Sequence, residues 1–193
     1  MNSARKSAEG LVPTYHSFRD QGKIEEFVNH HNLEALKLED PGVDDDAMRL
    51  FDIFPEAAVI ATYRPLQKVI NSHGNIKPWG MRPAKVEHLW TKNLEFYEHA
   101  EKAGRLVMIP LEERDIFDPV RASQCLKCEI SDKWQDFWEQ WPVVNDLKSQ
   151  KEYSKDNSEI SFFMSREEML SKFPGVEEKE RRYEALLKGA AAI

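Results

Sequence analysis

An arginine and a serine eight positions apart are the residues of this sequence best suited to bind an anion. Arg64 follows a short apolar stretch, Ala57 to Thr62, that predicts a strand, and Pro65 then opens a helix that contains Ser72. Proline is well tolerated in the first helical turn and holds the residue before it extended. A guanidinium, the free N–H groups of a helix N-terminus and a hydroxyl a little over two turns on all favour phosphate or sulfate. We therefore expect an anion site where this strand ends.

A second interpretation of Arg64 needs no ligand. Another apolar strand, Leu106 to Leu111, is followed by Glu112 and Glu113. If the two strands are neighbours, a salt bridge between their ends also explains the arginine, and the sequence leaves this alternative open.

The segment after the anion-site helix, HGNIKPWGMRP, is rich in Gly and Pro and predicts a loop. It carries Lys77, Trp79 and Arg82, whose charges and ring could serve a lid over a ligand. The alternative is an ordinary connection in which Trp79 packs on the core and the charges are solvated.

The elements around these residues alternate in the order typical of a parallel sheet covered by helices. Residues 57–111 predict a strand, a helix, a loop, a long helix from Pro83 to Ala103 and a second buried strand. Ligands of such sheets bind at the carboxyl ends of the strands, which is where Arg64 falls. We predict an α/β fold, a three-layer parallel sheet flanked by helices.

The flanking regions predict shorter elements. In the C-terminal part, Ser165 with Glu168 three residues on forms a capping box, and Glu177 to Lys188 predicts a charged helix with Tyr183 facing inward. The N-terminal part predicts an extended piece at Leu11 to His16, helices at Gln21 to His30 and Asp44 to Phe54, and a strand or helix end at Asn32 to Leu38. The length of 193 residues suits a single domain, with a core over about residues 8–115 and a C-terminal helical part over about 116–193.

Composition and charge narrow the class of protein. The apolar content of 41% and charged content of 32% are ordinary for a soluble globular chain. A net charge of −7 argues against a general nucleic-acid binder, and no apolar run approaches the ~18 residues of a membrane span. The N-terminal residues lack the apolar core of a signal peptide, so we expect a cytoplasmic protein. Cys125 and Cys128 form a single CxxC pair without further ligands for a zinc site, and we interpret them as incidental thiols.

The run YRPLQKVINS resembles the 3′-phosphate-binding signature of the sulfotransferases, in which an Arg ends a strand and a Ser follows eight residues later. FPEAAVIATYRP, RLVMIPLEE and GLVPTYHSF are similar to further segments of that family, as is the helix carrying Trp90, Asn93 and Tyr97. The similarity covers about residues 8–115 and is strongest over 54–113. It implies a P-loop NTPase-like sulfotransferase fold in which Arg64 and Ser72 hold the 3′-phosphate of 3′-phosphoadenosine 5′-phosphosulfate (PAPS).

One element of the family has no counterpart here. Sulfotransferases open with a strand and a Gly-rich loop that binds the 5′-phosphosulfate. The segment ARKSAEG has a Lys-Ser pair but no Gly-Thr after it and no strand before it. The resemblance therefore leaves three alternatives open: an N-terminally shortened member, a start that lies upstream of Met1, or a member that has abandoned the work of the loop. Catalysis would need an equivalent of that loop. A missing first strand would also leave a sheet edge bare, which is a hazard unless it is covered.

The resemblance also supplies candidates for catalysis. His16 falls where the family lines its acceptor pocket and Asp40 matches an acidic residue before a proline, so either is a candidate base for sulfuryl transfer. Lys77 and Arg82 could reach the adenosine phosphates from the loop. The alternatives are a surface or core-edge His16, a turn-forming Asp40 and solvated loop charges. His73, next to Ser72, is placed to cap its helix.

Two functions are therefore considered, beside a nucleotide kinase relative, which the missing phosphate loop disfavours more strongly. The first is transfer of a sulfuryl group from PAPS to the hydroxyl or amine of a small-molecule or glycan acceptor, with a homo-oligomer among the partners to be tested. The second is a non-catalytic sulfotransferase-fold protein that binds a nucleotide such as the desulfated cofactor (PAP), or a protein partner. No metal, nucleic acid or membrane partner is expected.

Overall fold

The computed structural model describes residues 13–33, 35–74, 81–111, 119–127, 129 and 162–189 of the chain. The strands are β1 (Thr14–His16), β2 (Lys37–Glu39), β3 (Val59–Tyr63) and β4 (Leu106–Pro110). The helices are α1 (Ile24–His31), α2 (Asp45–Met48), α3 (Leu50–Ile53), α4 (Leu66–Gly74), α5 (Pro83–Lys102), α6 (Pro119–Leu126), α7 (Arg166–Lys172) and α8 (Val176–Leu187), with a 3₁₀ turn at Pro41–Val43.

The two apolar strands on either side of the anion-site helix pair in parallel. β3 and β4 run in register from Val59 opposite Leu106 to Tyr63 opposite Pro110, and the Leu111 N–H still donates to the Tyr63 carbonyl at 3.1 Å. Parallel strands need a crossover, which α4 and α5 provide. The carboxyl ends of both strands therefore lie at one edge, and Arg64 follows β3 there.

The helix α4 presents a different set of side chains to each of its surroundings. Leu66 and Ile70 are buried in the core, whereas Gln67 and Asn71 donate to the Met164 carbonyl at 3.1 and 3.2 Å. The Asn71 side-chain oxygen also accepts from the Met164 N–H at 2.8 Å, so this face is fixed by backbone contacts. At helical spacing, the remaining face, which includes Ser72, points to the strand ends.

The long helix α5 is the central packing element. It contacts the 3₁₀ turn, α4, α8 and β4, and its buried residues recur at helical spacing: Val86, Leu89, Trp90, Leu94, Phe96 and Ala100. Gly104 ends it in the left-handed conformation with φ of 67°, where glycine carries no Cβ penalty. At Gly42 the 3₁₀ turn approaches so closely that a Cβ there would overlap the Lys92 carbonyl. The turn is thus seated directly on the helix backbone.

A second, smaller parallel pair precedes this unit. β1 and β2 are in register from Thr14 opposite Lys37 to His16 opposite Glu39. The fully buried Tyr15 donates to the buried Asp44 carboxylate at 2.6 Å, and the Asp44 side chain also caps α2 by accepting from the Asp46 N–H. One buried carboxylate thereby joins β1 to the start of α2.

The C-terminal helix α8 docks on α5 through a buried ring contact framed by ion pairs. The Tyr183 hydroxyl donates to the Trp90 carbonyl at 2.7 Å, and their rings lie 4.5 Å apart between centroids. Lys179 contacts Glu87 at 2.6 Å, and Arg182 contacts both oxygens of Glu98 at 2.7 and 2.6 Å. The expected inward position of Tyr183 is confirmed, as is the Ser165 cap, whose hydroxyl accepts from the Glu168 N–H at 3.1 Å.

The structure is mixed α/β with small parallel sheets, as predicted, and most elements around the core lie within a few residues of their predicted bounds. Two differences stand out. The parallel strands form two separate two-stranded sheets within the described residues, so a single three-layer sheet of the P-loop type stays a prediction. The helix predicted over Asp44 to Phe54 is broken in two at Arg49, which leaves the helical conformation with φ of −95° and ψ of 15°.

Candidate functional site

A cavity of about 260 Å³ opens at the carboxyl edge of the β3–β4 pair. Its walls come from the ends of both strands and from α4, α5 and α8. The residues that line it, among those the structure describes, are Thr62, Tyr63, Arg64, Val69, Ser72, His73, Trp90, Asn93, Tyr97, Leu111 and Tyr183.

The two residues predicted to bind an anion line this cavity together. Arg64 follows directly on β3, and its carbonyl accepts a hydrogen bond from the Trp90 indole N–H at 3.3 Å. Ser72 faces the same cavity from the last turn of α4. The backbone of Arg64 is thus anchored to α5, and its position relative to Ser72 is set by two packed helices rather than by a loop.

The first three residues of α4, Leu66 to Lys68, are not among the described residues that line the cavity. The cavity-lining residues of this helix are Val69, Ser72 and His73, which share one face at i, i+3 and i+4. At a rise of 1.5 Å per residue, Ser72 lies about 9 Å along the axis from Leu66, where the helix begins. An anion in contact with Ser72 therefore lies beside the helix, away from the N–H groups that the sequence suggested as ligands. This difference arises because Arg64 precedes the first residue of α4, whereas Ser72 lies in its last turn.

His73 is the second basic side chain in the cavity wall. Burial lowers the pKa of its imidazole below the ordinary value of 6.5, and the nearby negative charge of Asp40 opposes that shift. The ring is therefore neutral at pH 7 in the empty cavity and can accept or donate a hydrogen bond.

Four aromatic side chains form one wall of the cavity. Tyr183 is central, with its ring centroid 4.9 Å from that of Tyr63, 4.5 Å from Trp90 and 6.3 Å from Tyr97. Trp90 and Tyr183 are 7% and 2% exposed, so this wall is part of the core as well as a surface for a ligand. Aromatic faces of this kind suit a flat ring or the apolar face of a sugar.

Two phenols of this wall, those of Tyr97 and Tyr183, do not ionise near neutral pH. Burial, with a smaller effect of the Asp40 charge, raises the pKa of Tyr97 to about 12. Burial likewise raises the pKa of Tyr183 well above its usual value of 10. These hydroxyls are hydrogen-bonding groups at physiological pH, and neither can act as a general base there.

Asp40 lies behind the cavity wall and reaches it through Asn93. The Asn93 side chain, which lines the cavity, donates to the Asp40 carboxylate at 3.2 Å and accepts from the Gly42 N–H at 3.2 Å. Asp40 itself adopts the left-handed conformation with φ of 52°, which Asp tolerates better than most residues. The carboxylate thus orients an amide of the wall without lining the cavity itself.

The other predicted site residues lie elsewhere. His16 ends β1, where its Nδ1 contacts the Glu39 carboxylate at 2.6 Å, and it is not among the described residues that line the cavity. Arg82 is exposed at the start of α5, eight residues before Trp90. Lys77, Trp79, Glu112 and Glu113 lie outside the described residues, so the lid and the salt-bridge alternative for Arg64 stay predictions.

The described part of the chain offers no metal site. No group of three or more His, Cys, Asp or Glu side chains within it has the arrangement to hold a metal ion. Cys125, on α6, is a free thiol whose pKa is raised by burial, which disfavours the reactive thiolate, and Cys128 lies outside the described residues. Among the described helices none has the length and apolar content to cross a bilayer.

Several cavity residues were missed as site residues. Tyr63 precedes Arg64 directly, and His73 follows Ser72, so proximity to the predicted pair was a usable signal for both. Tyr183 lies 93 residues beyond Trp90, and only the docking of α8 on α5 brings it to the cavity. No spacing of residues in the sequence predicts this contact between Tyr183 and Trp90.

Comparison with family models, with curated proteins and with solved structures finds no match to this chain.

Proposed function

We propose that the chain is a sulfotransferase-like protein that binds the nucleotide PAPS or its desulfated form PAP in this cavity. The observation that carries the proposal is the presence of Arg64 and Ser72 in the wall of one cavity at the carboxyl edge of a parallel strand pair. Arginine provides a planar fork that matches phosphate geometry, and the serine hydroxyl donates a further hydrogen bond. The 3′-phosphate would lie between them.

The rest of the cavity supports a ligand that joins a charged group to a ring. Its volume of about 260 Å³ holds a phosphate and one ring system, slightly below the ~300 Å³ at which pockets for whole small ligands begin. The remainder of a nucleotide would extend beyond the described walls. The wall around Tyr183 offers faces for a base or ribose next to the polar end formed by Arg64, Ser72 and Asn93.

In the catalytic form of the proposal, PAPS supplies a sulfuryl group that passes in line to an acceptor hydroxyl or amine as its bond to the 5′-phosphate breaks. The chain must then accept the acceptor's proton. His16, paired with Glu39, has the arrangement of an oriented imidazole base. Asp40 lies behind Asn93 and would have to take the proton directly from the acceptor, because the side-chain amide between them does not relay protons. Lys77 and Arg82 remain proposed contacts to the cofactor phosphates.

The second candidate, a non-catalytic nucleotide-binding protein, is favoured by a specific feature of the sequence. Arg64 and Ser72, the residues proposed to bind the 3′-phosphate, are both in the sequence. Residues 1–193 contain no Gly-rich loop of the kind that neutralises the 5′-phosphosulfate during transfer. Such a protein would hold PAP without turnover and act through contacts with a partner.

Titration of PAP into the purified protein tests the shared part of both candidates. Arg64→Ala should weaken PAP binding roughly tenfold to hundredfold, the effect of losing a charge-assisted bidentate contact, and Ser72→Ala should weaken it less. Arg49→Ala is the matched control, since this arginine is 65% exposed and its ion pair within the described part of the chain is a long 3.9 Å contact with Asp52. Equal affinities of Arg64→Ala and Arg49→Ala would reject the site.

Transfer of labelled sulfate from PAPS to a panel of phenol, amine and sugar acceptors then separates the two candidates. Turnover that His16→Ala or Asp40→Asn reduces supports the enzyme. PAP binding with no transfer to any acceptor supports the non-catalytic protein.

A further inference from the structure

His73 lies where a second cation would act on the anion assigned to Arg64 and Ser72. It follows Ser72 in the last turn of α4 and lines the same cavity as Arg64. An anion held by the Ser72 hydroxyl would therefore lie in the cavity that this imidazole also lines. A role for His73 rests on the proposed anion site, since it concerns how the charge of that site is balanced.

The dipole of α4 makes it difficult for a single cation, Arg64, to bind a dianion beside Ser72. The C-terminal end of a helix carries partial negative charge, so Ser72 and His73 sit at the end that repels anions and favours cations. The favourable N-terminal end lies about 9 Å away along the axis. Positive charge for the anion must therefore come from side chains.

The charged and titratable groups around His73 are few among the described residues. β3 and the residue after it contribute Tyr63 and Arg64, α5 contributes Tyr97, α8 contributes Tyr183, and the 3₁₀ turn contributes Asp40 behind Asn93. The phenols of Tyr97 and Tyr183 are uncharged near pH 7, because burial raises the pKa of both. The balance at His73 is thus set by burial, which disfavours its protonation, and by Asp40, which favours it.

We propose that His73 takes up one proton from solvent when a sulfate or phosphate dianion enters the cavity, and then holds the anion as an imidazolium opposite Arg64. The His73 imidazole is thus neutral in the empty cavity and becomes the second cation when the anion is bound. No covalent bond changes, and the proton is returned to solvent when the anion leaves. Binding of the anion and of the proton are therefore linked.

The sign of the linkage depends on the pKa of His73 in the two states. Burial holds this pKa below 6.5 in the empty cavity, and a dianion at contact distance raises it. Between the two values the loaded protein carries more protons than the empty one, so anion affinity falls as pH rises. The fall reaches at most tenfold per pH unit for one proton, and affinity is independent of pH outside this window.

Sulfate is the probe for the test because it remains a dianion throughout the range from pH 5.5 to 8, whereas phosphate itself titrates. Calorimetric titration of the full chain with sodium sulfate, at constant ionic strength, is run in two buffers of different ionisation enthalpy. The difference between the two observed enthalpies gives the number of protons taken up. The imidazole NMR signals, assigned with His73→Gln, report the pKa of His73 with and without sulfate.

Wild type is expected to take up a proton with sulfate, up to one per site at pH values inside the window, and to show a raised His73 pKa. His73→Gln should bind sulfate more weakly at pH 6, with no proton uptake from this position and no dependence on pH. His88→Gln is the matched control, since His88 lies on α5 and is not among the described residues lining the cavity. This control should behave as wild type.

Sulfate binding that depends on Arg64 but takes up no proton, or takes up the same number in His73→Gln, would overturn the role of His73 and leave the anion site standing. The absence of sulfate and PAP binding from wild type at every pH would overturn the anion site and the role of His73 together. Circular dichroism of each variant confirms that it is folded before the titrations are compared.

Discussion

At the scale of single residues, the described part of the cavity wall combines one permanent cation, an imidazole that is neutral at pH 7 and the neutral phenols of Tyr97 and Tyr183. Arg64 is charged at all physiological pH values, whereas the protonation of His73 depends on its surroundings. Tyr183 serves both the wall of the cavity and the core, because its hydroxyl is bonded to the Trp90 carbonyl and its ring contacts three others. Changes at these residues should therefore separate into effects on binding and on stability.

Tyr183→Phe should lower the free energy of unfolding by about 1–2 kcal/mol, because it removes one buried hydrogen bond and keeps the ring. Tyr183→Ala removes the ring as well and should cost about 3–5 kcal/mol. Urea denaturation of both variants measures these values. A Tyr183→Phe variant as unstable as Tyr183→Ala would show that the ring contacts contribute little.

The lowered pKa of His73 predicts a pH dependence of stability in the absence of anions. The unfolded chain binds more protons than the folded chain between the folded-state pKa and about 6.5, so stability rises with pH in that window. Below this pH window the contribution of neutral His73 to the free energy of unfolding is lost in full. Denaturation midpoints of wild type and His73→Gln from pH 5 to 8 test this, and the variant should lack this part of the slope. Equal slopes in the two proteins would contradict the burial of His73.

At the scale of elements, the cavity depends on how α5 is held by its neighbours. The 3₁₀ turn sits on its middle through Gly42, and α8 docks along it through Tyr183 and the pairs at Lys179 and Arg182. Both contacts place residues that the cavity needs, Asn93 with Asp40 on one side and the aromatic wall on the other.

Gly42→Ala should displace the 3₁₀ turn from α5, because the added Cβ overlaps the Lys92 carbonyl, which is backbone and cannot rotate away. We expect a loss of about 2–3 kcal/mol or more in the free energy of unfolding. Gly104→Ala is the control. It has open space around its Cβ and suffers only the strain of its φ of 67°, about 1 kcal/mol. If both variants lose the same stability, the close packing of the turn on α5 is not the cause.

Arg182→Met should weaken the attachment of α8 to α5. The Glu98 carboxylate is only 20% exposed, and it would lose the two hydrogen bonds that Arg182 donates to it. We expect the free energy of unfolding to fall by roughly 1 kcal/mol. This is less than for a buried ion pair, because Arg182 remains 35% exposed and water screens the contact. Hydrogen exchange along α8 should accelerate in Arg182→Met and stay unchanged in Arg181→Met, whose side chain is 71% exposed. Uniform protection in both variants would show that the pair does not fasten the helix.

At the scale of the whole molecule, the sequence was sufficient to predict the local elements and the two residues, Arg64 and Ser72, that share a cavity. It was not sufficient to predict the long-range contacts. The apolar periodicity of 83–103 and the apolar runs of 57–62 and 106–111 were sufficient to find α5, β3 and β4, because the period of a buried face reports the element type. The pairing of Tyr183 with Trp90 was not accessible, since it depends on tertiary docking between distant helices.

The site residues show the same limit. Arg64 and Ser72 were found because one strand and one helix fix their relation. His16 was placed in the site by resemblance, yet the register of β1 with β2 pairs it with Glu39. Arg82 lies at the start of α5, a distance of about 12 Å along the axis from the first cavity residue of that helix, Trp90.

A nucleotide that binds only the folded chain should stabilise the whole molecule. At a concentration of PAP about a hundred times its Kd, the gain is about 2.7 kcal/mol, which corresponds to a rise in Tm of roughly 5–10 °C for a chain of this size. The same concentration should produce no rise in Arg64→Ala. Thermal unfolding followed by circular dichroism measures both, and equal rises in the two proteins would place PAP elsewhere.

The central claim is that Arg64 holds the 3′-phosphate of a nucleotide, and a cycle of two ligands and two proteins tests it most directly. The affinities of PAP and adenosine 5′-monophosphate, which lacks the 3′-phosphate, are measured for wild type and for Arg64→Ala. We predict that wild type prefers PAP roughly tenfold to hundredfold and that this preference falls close to one in the variant. A preference that is the same in both proteins would contradict the claim, whatever the absolute affinities.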